Sequence, residues 1–297
     1  MDAIATARRS PTFSSLGLVF VVLWSSAWIA GKVGLPYAGP FTLLVIRFSV
    51  AGAILLAVAL ATSAPWPDKL ADWGHLAVAG ALIQGLALGC AYLSLKLGVS
   101  AGIAGLVNGL APLFTALGAV PFLGERIGRR QWLGLAAGLI GVVLVVIDRV
   151  HLGGADWEGY VAIFAALVAL ACGTLYQKKY CSGMDLRTGS FIQVAAAGAL
   201  VFFPALHFEG LQAEWSWTLI LASAWLSLVN SIAAFSLLYV LLRKGEASRV
   251  SALFYLVPPV TALMGFVAFH ETLSPAALVG FAITVGGVYL GTRPDAS

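Results

Sequence analysis

The chain has 297 residues, 60% of them hydrophobic and only 10% charged, with a formal net charge of +4. Soluble domains carry about 25% charged residues, so a soluble fold of this length could not hide this much apolar surface, and most of the chain is expected to lie in lipid. The seventeen basic residues are scattered over short loops rather than massed as a nucleic-acid-binding patch, and three cysteines at irregular spacing (Cys90, Cys172, Cys181) make neither a disulfide framework nor a metal motif.

A spanning helix needs about 20 apolar residues. In chain order the apolar runs are 13–31, 41–61, 73–95, 101–123, 131–147, 159–177, 188–206, 215–242, 247–269 and 275–290. They predict an all-α polytopic membrane protein of ten transmembrane helices, with breakers such as "GLPYAGP", "TSAPWPDKLADWG" and "CSGMD" between them. Arg8 and Arg9 precede the first run as they would in an export signal. That run belongs to the internal repeat described next, so it is expected to be retained.

Orientation follows from charge. With the N-terminus inside, Lys and Arg number thirteen on the inner side and three (Lys32, Lys96, Arg149) on the outer, with Arg47 within a helix. The positive-inside rule then places both termini in the cytoplasm.

The chain is written twice. "LAPLFTALGAVPFLGERIG" (110–128) returns as "LVPPVTALMGFVAFHETLS" (256–274), with Pro112 matching Pro258 and Glu125 matching Glu271 at an offset of 146. At the same offset Lys32 meets Lys178, Gln84 meets Asn230, Gly134 meets Gly280 and Gly141 meets Gly287. Five spans separate the copies, an odd number, so the second half is an upside-down copy of the first. Inverted repeats enclose their substrate site near the midplane between the halves. The expected organisation is an N-terminal tail (1–12), a first repeat (13–148), an outer linker (149–158), a second, inverted repeat (159–293) and a C-terminal tail (294–297).

These residues resemble the drug/metabolite transporter superfamily, in particular its ten-helix EamA-type carriers. The paired P-x-x-T-A-L…E segments carry the likeness, each followed by a glycine-bearing helix, together with Arg47 and Lys32. Within that group the chain is most similar to the YddG-like bacterial amino-acid exporters. The resemblance implies a basket of helices around a central cavity, open to one side at a time. It also implies export of amino acids, aromatic ones among them, and related metabolites across the inner membrane.

Several residues are candidates for lining that cavity. Gln84 and Asn230 are amides in apolar helices, and an unpartnered polar group in hydrocarbon costs several kcal/mol. Each therefore faces a neighbouring helix, water or ligand. Leu88 and Tyr92 follow Gln84 at i+4 and i+8, which predicts one face. Asn108 lies one turn before Pro112, and Phe254 one turn before Pro258. Trp24 and Trp28 share a face beside Ser25 and Ser26, and Thr174 and Tyr176 occupy the matching stretch of the sixth helix. Aromatics at this spacing are more often lipid-facing or core residues than ligand-binding ones.

Arg47 is an intramembrane charge, a feature that marks function. It is read either as recognising a substrate carboxylate or as a structural anchor that snorkels or binds helix-end carbonyls. Pro112 and Pro258 are expected to kink their helices, as static bends or as hinges. Glu125 and Glu271 are expected at helix ends, accepting from the exposed amides of the next helix, with proton coupling as the sharper alternative. Glycine pairs such as Gly134/Gly138 and Gly105/Gly109 suit close helix packing, within the chain or between copies.

No cofactor, metal or catalytic residue is expected. The chain has no P-loop, H-E-x-x-H or G-x-S-x-G motif, which argues against a membrane-embedded enzyme and against direct ATP drive. The partners expected are a small-molecule substrate and the bilayer, with no nucleic acid, and the chain is expected to act as a monomer. Drug or lipid efflux by the same fold is the competing function.

Overall fold

A computed structural model describes residues 11–123, 128–151, 155–181, 183–234, 237, 256–270 and 274–291. The helices are α1 (Pro11–Gly34), α2 (Pro40–Ala61), α3 (Leu70–Lys96), α4a (Ala101–Asn108), α4b (Ala111–Leu123), α5 (Arg129–His151), α6 (Trp157–Tyr180), α7 (Leu186–Glu209), α8 (Trp217–Ala234), α9 (Val257–Phe269) and α10 (Pro275–Gly291). Six of them, α1, α2, α3, α6, α7 and α8, are long and apolar enough to cross a membrane. Many large apolar side chains point outward, among them Phe203, Phe208, Leu263 and Val267. A surface of this kind is wetted by hydrocarbon rather than water.

The packing follows the internal repeat. α2 packs on α7, α4a on α9, and α5 on α10, each helix meeting its own counterpart. α1 packs on α8 and α9, while α6, the counterpart of α1, packs on α3 and α4b. Such reciprocity is what a pseudo-two-fold axis between the halves requires.

It holds at atomic detail in the α5–α10 pair. A Cβ at Gly141 would run into Gly280 O and Thr284, and a Cβ at Gly287 would run into Gly134 O and Gly138 N. Thr284 Oγ1 donates to Gly280 O at 2.9 Å and lies 3.4 Å from Gly138 O, its own equivalent. The glycines expected to allow close packing therefore do so within the chain. Gly105 is pressed against Thr261, and Gly109 against Pro258.

α8, α1, α9, α4, α6 and α3 pack side by side in that order, and α2 and α7 together bridge α3 and α8. Both ends of the α2–α7 pair are tied by hydrogen bonds. At one end the Glu209 carboxylate, from the last turn of α7, accepts from Phe41 N (3.1 Å), Thr42 N (2.6 Å) and Thr42 Oγ1 (2.6 Å). These are the exposed first-turn amides of α2, which has no capping side chain of its own. Gly39 leaves the room, since a Cβ there would strike the Glu209 carboxyl. At the other end Asp185 caps α7 by accepting from Arg187 N and Thr188 N, and Thr188 Oγ1 donates to Pro65 O at 2.8 Å.

Pro112 and Pro258 both stand in the first turn of a described helix. α4a ends at Asn108 and α4b starts at Ala111, so Pro112 lies where a missing N–H forfeits no helical bond. Pro258 holds the same place in α9 and is buried. Glu125, Glu271 and Phe254 lie outside the described residues.

Candidate functional site

Two segments depart from α-helical winding, and the repeat relates them. Ala81–Leu86 of α3 and Trp225–Ala234 of α8 wind as π-helix. Shifted by 146, the first falls inside the second, and Gln84 falls on Asn230. Short π-helical turns inside α-helices recur at functional sites. The first packs against α6 and α7, where Gly173 admits Leu82 and Ile83, and Gly85 admits Ala197 and Leu200. The second packs against α1 and α2.

On its α2 side lies Arg47, only 4% exposed. Its Nε donates to Ser231 Oγ and its Nη1 to Tyr92 OH, both at 3.0 Å. Ser227 Oγ lies 3.3 Å from the Arg47 carbonyl oxygen. The ring of Tyr92 crosses to α1, where a Cβ at Gly31 would lie 3.0 Å from Tyr92 Cζ. Arg47 thus joins α2, α3 and α8 through neutral hydroxyls. Among the described residues no carboxylate pairs with it, although a guanidinium has five donors and only two are used here.

On the α1 side lies Asn230, also 4% exposed. Its Nδ2 donates to Leu23 O at 2.6 Å and reaches Ser26 Oγ at 3.4 Å. Ser26 Oγ itself donates to Leu23 O and accepts from Trp225 Nε1 at 2.8 Å. Asn230 Oδ1 is buried with no donor among the described residues, and Ser223 Oγ and Thr261 Oγ1 are buried there without a hydrogen-bond partner.

The other candidates are dispersed. Gln84 is half-buried and hydrogen-bonded to no described residue. Leu88 and Asn108 are half-buried. Trp24 packs on Phe20, with ring centroids 5.4 Å apart, and Trp28 is a buried core residue. Thr174 is exposed and donates to Leu170 O of its own helix. Tyr176 sits at the Asp185 end, its hydroxyl 2.8 Å from His75 Nδ1, with Tyr180 stacked on the His75 ring. The structure therefore joins Arg47 and Tyr92 directly, while Asn230, next in the chain to their partner Ser231, bonds to α1 instead. It does not bring Thr174 or Tyr176 to that cluster.

An apolar groove of about 570 Å³ runs along the Glu209 end between α1, α8 and α9, bordered by Ser26, Ala30, Trp225 and Met264. The sequence reading missed Ser231, Trp225, Glu209 and His75. Ser231 had one available signal, since it follows Asn230 directly in an otherwise apolar stretch.

Comparison with known proteins agrees with this architecture. The EamA-like transporter family matches the chain twice, at residues 13–147 and 157–293, and the chain belongs to that family. It is a membrane transporter. It is 27% identical over 282 residues to the uncharacterized inner membrane transporter YedA of Escherichia coli, covering 95% of this chain and 90% of that one. It is 28% identical over 285 residues to a Salmonella typhimurium protein named a probable amino-acid metabolite efflux pump, covering 93% of each. It is 30% identical over 276 residues to a probable terminal-alkyne amino-acid exporter of Streptantibioticus cattleyicolor, covering 92% and 91%. A solved crystal structure shares the fold with a TM-score of 0.64 at 22% identity, covering 94% of this chain and 95% of that one.

Proposed function

We propose that this member of the EamA-like transporter family is a secondary carrier that exports amino acids, aromatic ones included, and related small metabolites by alternating access. In this reading it is a monomer in the bacterial inner membrane with both termini in the cytoplasm, so the Glu209 end faces outward. Arg47 receives the substrate carboxylate, while Gln84 and Asn108 line the path. Glu125 and Glu271 order the helix turns that follow them. Pro112 and Pro258 mark the joints at which the fourth and ninth spans bend.

The observation that carries this reading is the state of Arg47. Among the described residues this buried guanidinium is held by neutral hydroxyls alone, which leaves its charge incompletely compensated. A carboxylate-bearing solute supplies the missing anion in the bidentate geometry that arginine favours. Two relatives named for amino-acid export support the same solute class.

The test is purified protein in liposomes, offered labelled amino acids, cationic drugs and nucleotide sugars. Saturable counterflow of amino acids is expected. Flux of the drugs alone would favour a second reading, efflux of apolar drugs or lipids, for which the groove between α1, α8 and α9 is the supporting feature.

A further inference from the structure

We infer that the side-chain oxygen of Asn230 is the receptor for the primary ammonium group of the substrate, so that the carrier selects α-amino acids over amine-free acids. The inference rests on the amino-acid reading above and assigns its second recognition contact.

The orientation of the Asn230 amide is fixed. Nδ2 sits 2.6 Å from Leu23 O, and a flipped amide would set two carbonyl oxygens against each other. Oδ1 is therefore the atom left over, in a residue only 4% exposed. An amide oxygen can only accept, so the group that satisfies it must be a donor. The hydroxyl of Ser26, on the amide's nitrogen side, gives its proton to Leu23 O. A buried acceptor without a donor destabilises the resting protein, and that cost is relieved when a donor arrives with the solute.

The chain neighbour of Asn230 supplies the second observation. Ser231 holds the guanidinium of Arg47, itself without a carboxylate among the described residues. An α-amino acid carries its ammonium and its carboxylate on one carbon. Its two receptors must then be borne by adjoining elements, and Asn230 on the α1 side and Ser231 on the α2 side belong to one π-helical segment. One short stretch of α8 thus presents an unfilled acceptor and borders an unfilled cation, the complement of a zwitterion. In the other half of the repeat, Gln193 stands at the position of Arg47, and its Nε2 contacts Met184 Sδ at 3.5 Å. Only one half carries the pair.

The test compares three congeners with one side chain in counterflow through the full-length carrier: phenylalanine, 3-phenylpropanoate and N,N,N-trimethylphenylalanine, the last two having no hydrogen-bond donor on the α-carbon. Wild type is expected to move the amino acid at least about tenfold more efficiently than either analogue, because a site built around a hydrogen bond rejects solutes that lack it. In N230L, which keeps the branched heavy-atom shape but removes the acceptor, amino-acid flux is expected to fall to the level of 3-phenylpropanoate. Equal wild-type flux of all three congeners overturns the inference, as does N230L with the tenfold preference intact. The wild-type comparison needs no folded variant, so it decides the matter even where N230L is not recovered. Absence of amino-acid flux in wild type strikes the amino-acid reading itself, a result distinct from amino-acid flux without preference for the amine.

Discussion

Thr42 and Thr188 occupy the same position in the two halves, and each fastens one end of the α2–α7 pair. The hydroxyl of Thr42 donates to Glu209, and that of Thr188 to Pro65 O. The repeat has kept the threonine and changed its acceptor. The Glu209 end is the stronger tie, because one carboxylate takes three donors from a helix that lacks its own cap. Glu209→Ala is expected to destabilise the folded carrier by about 1–2 kcal/mol, the usual range for a lost helix cap. Thermal unfolding in detergent reads this directly. A Tm unchanged from wild type would show that the tie contributes nothing.

The opposite end titrates. Asp185 lies in the loop before α7, and its carboxyl is held at about 2 from an ordinary 3.8, first by its hydrogen bond to Arg187 and then, against partial desolvation, by the amides of Arg187 and Thr188. A carboxyl lowered by folding stabilises the fold fully above its unfolded value and loses that contribution as pH falls through its folded value. This part of the stability is expected to be flat above pH 3.8 and to fade as the pH drops towards 2. In Asp185→Asn the titration is gone, so the acid limb of a Tm–pH curve should flatten relative to wild type. Parallel curves for the two proteins would rule out the contribution.

The α5–α10 seam should respond symmetrically. Gly141 and Gly287 each face backbone atoms of the other helix at the place where a side chain would go. Gly141→Val and Gly287→Val are each expected to cost about 1–3 kcal/mol, the range for overpacking a close interface. Gly74, by contrast, faces open space, with no atom within 4 Å of where a methyl group would sit, so Gly74→Ala should be neutral or slightly stabilising. Unequal losses at Gly141 and Gly287 would mean that the two-fold relation is not preserved in their packing energies.

These pairs also show which features could be read from the chain. The repeat was legible because proline, glutamate and an amide recur at one offset, and such residues are rarely matched by chance in an apolar alphabet. The α5–α10 glycines followed from the same offset. The face shared by Gln84, Leu88 and Tyr92 did not survive in simple form. That expectation assumed 3.6 residues per turn throughout, and π-helical winding from Ala81 to Leu86 alters the rotational register between Gln84 and the residues after it. Tyr92 is consequently buried against Arg47, while Gln84 makes no hydrogen bond to a described residue. The partners of Arg47 were illegible for a related reason. Which side of α8 meets α2 depends on packing between helices distant in sequence, and hydroxyls stand where a substrate carboxylate or helix-end carbonyls are the expected partners. The non-local cap by Glu209 was hidden likewise, being a contact across 167 positions.

The roles of Arg47 can be separated by two substitutions. Tyr92→Phe removes one hydroxyl acceptor and leaves the guanidinium in place, so transport should persist, with flux lowered by less than in Arg47→Gln. Arg47→Gln removes the charge and is expected to reduce amino-acid counterflow by at least about tenfold, because a buried charged contact accounts for about 2 kcal/mol or more. A structural anchor alone predicts a different pattern: lowered Tm in Arg47→Gln, with flux per folded molecule unchanged. Measuring both quantities on the same preparation distinguishes the two.

The inverted topology makes the most direct prediction. Replacing Cys90, Cys172 and Cys181 gives a cysteine-free background, on which one cysteine at a time can be placed at position 125 or 271. Five spans lie between these positions in the repeat, so a membrane-impermeant thiol reagent applied from outside should label position 271 and leave position 125 untouched until the membrane is opened. The Lys and Arg asymmetry fixes which is which, because position 125 adjoins Arg126, Arg129 and Arg130. Labelling of 125 alone from outside would reverse the orientation but preserve the inversion. Labelling of both from one side would leave the pairing of α5 with α10 without the axis that relates them, and the carboxylate site proposed at Arg47 would lose its place between two opposed halves.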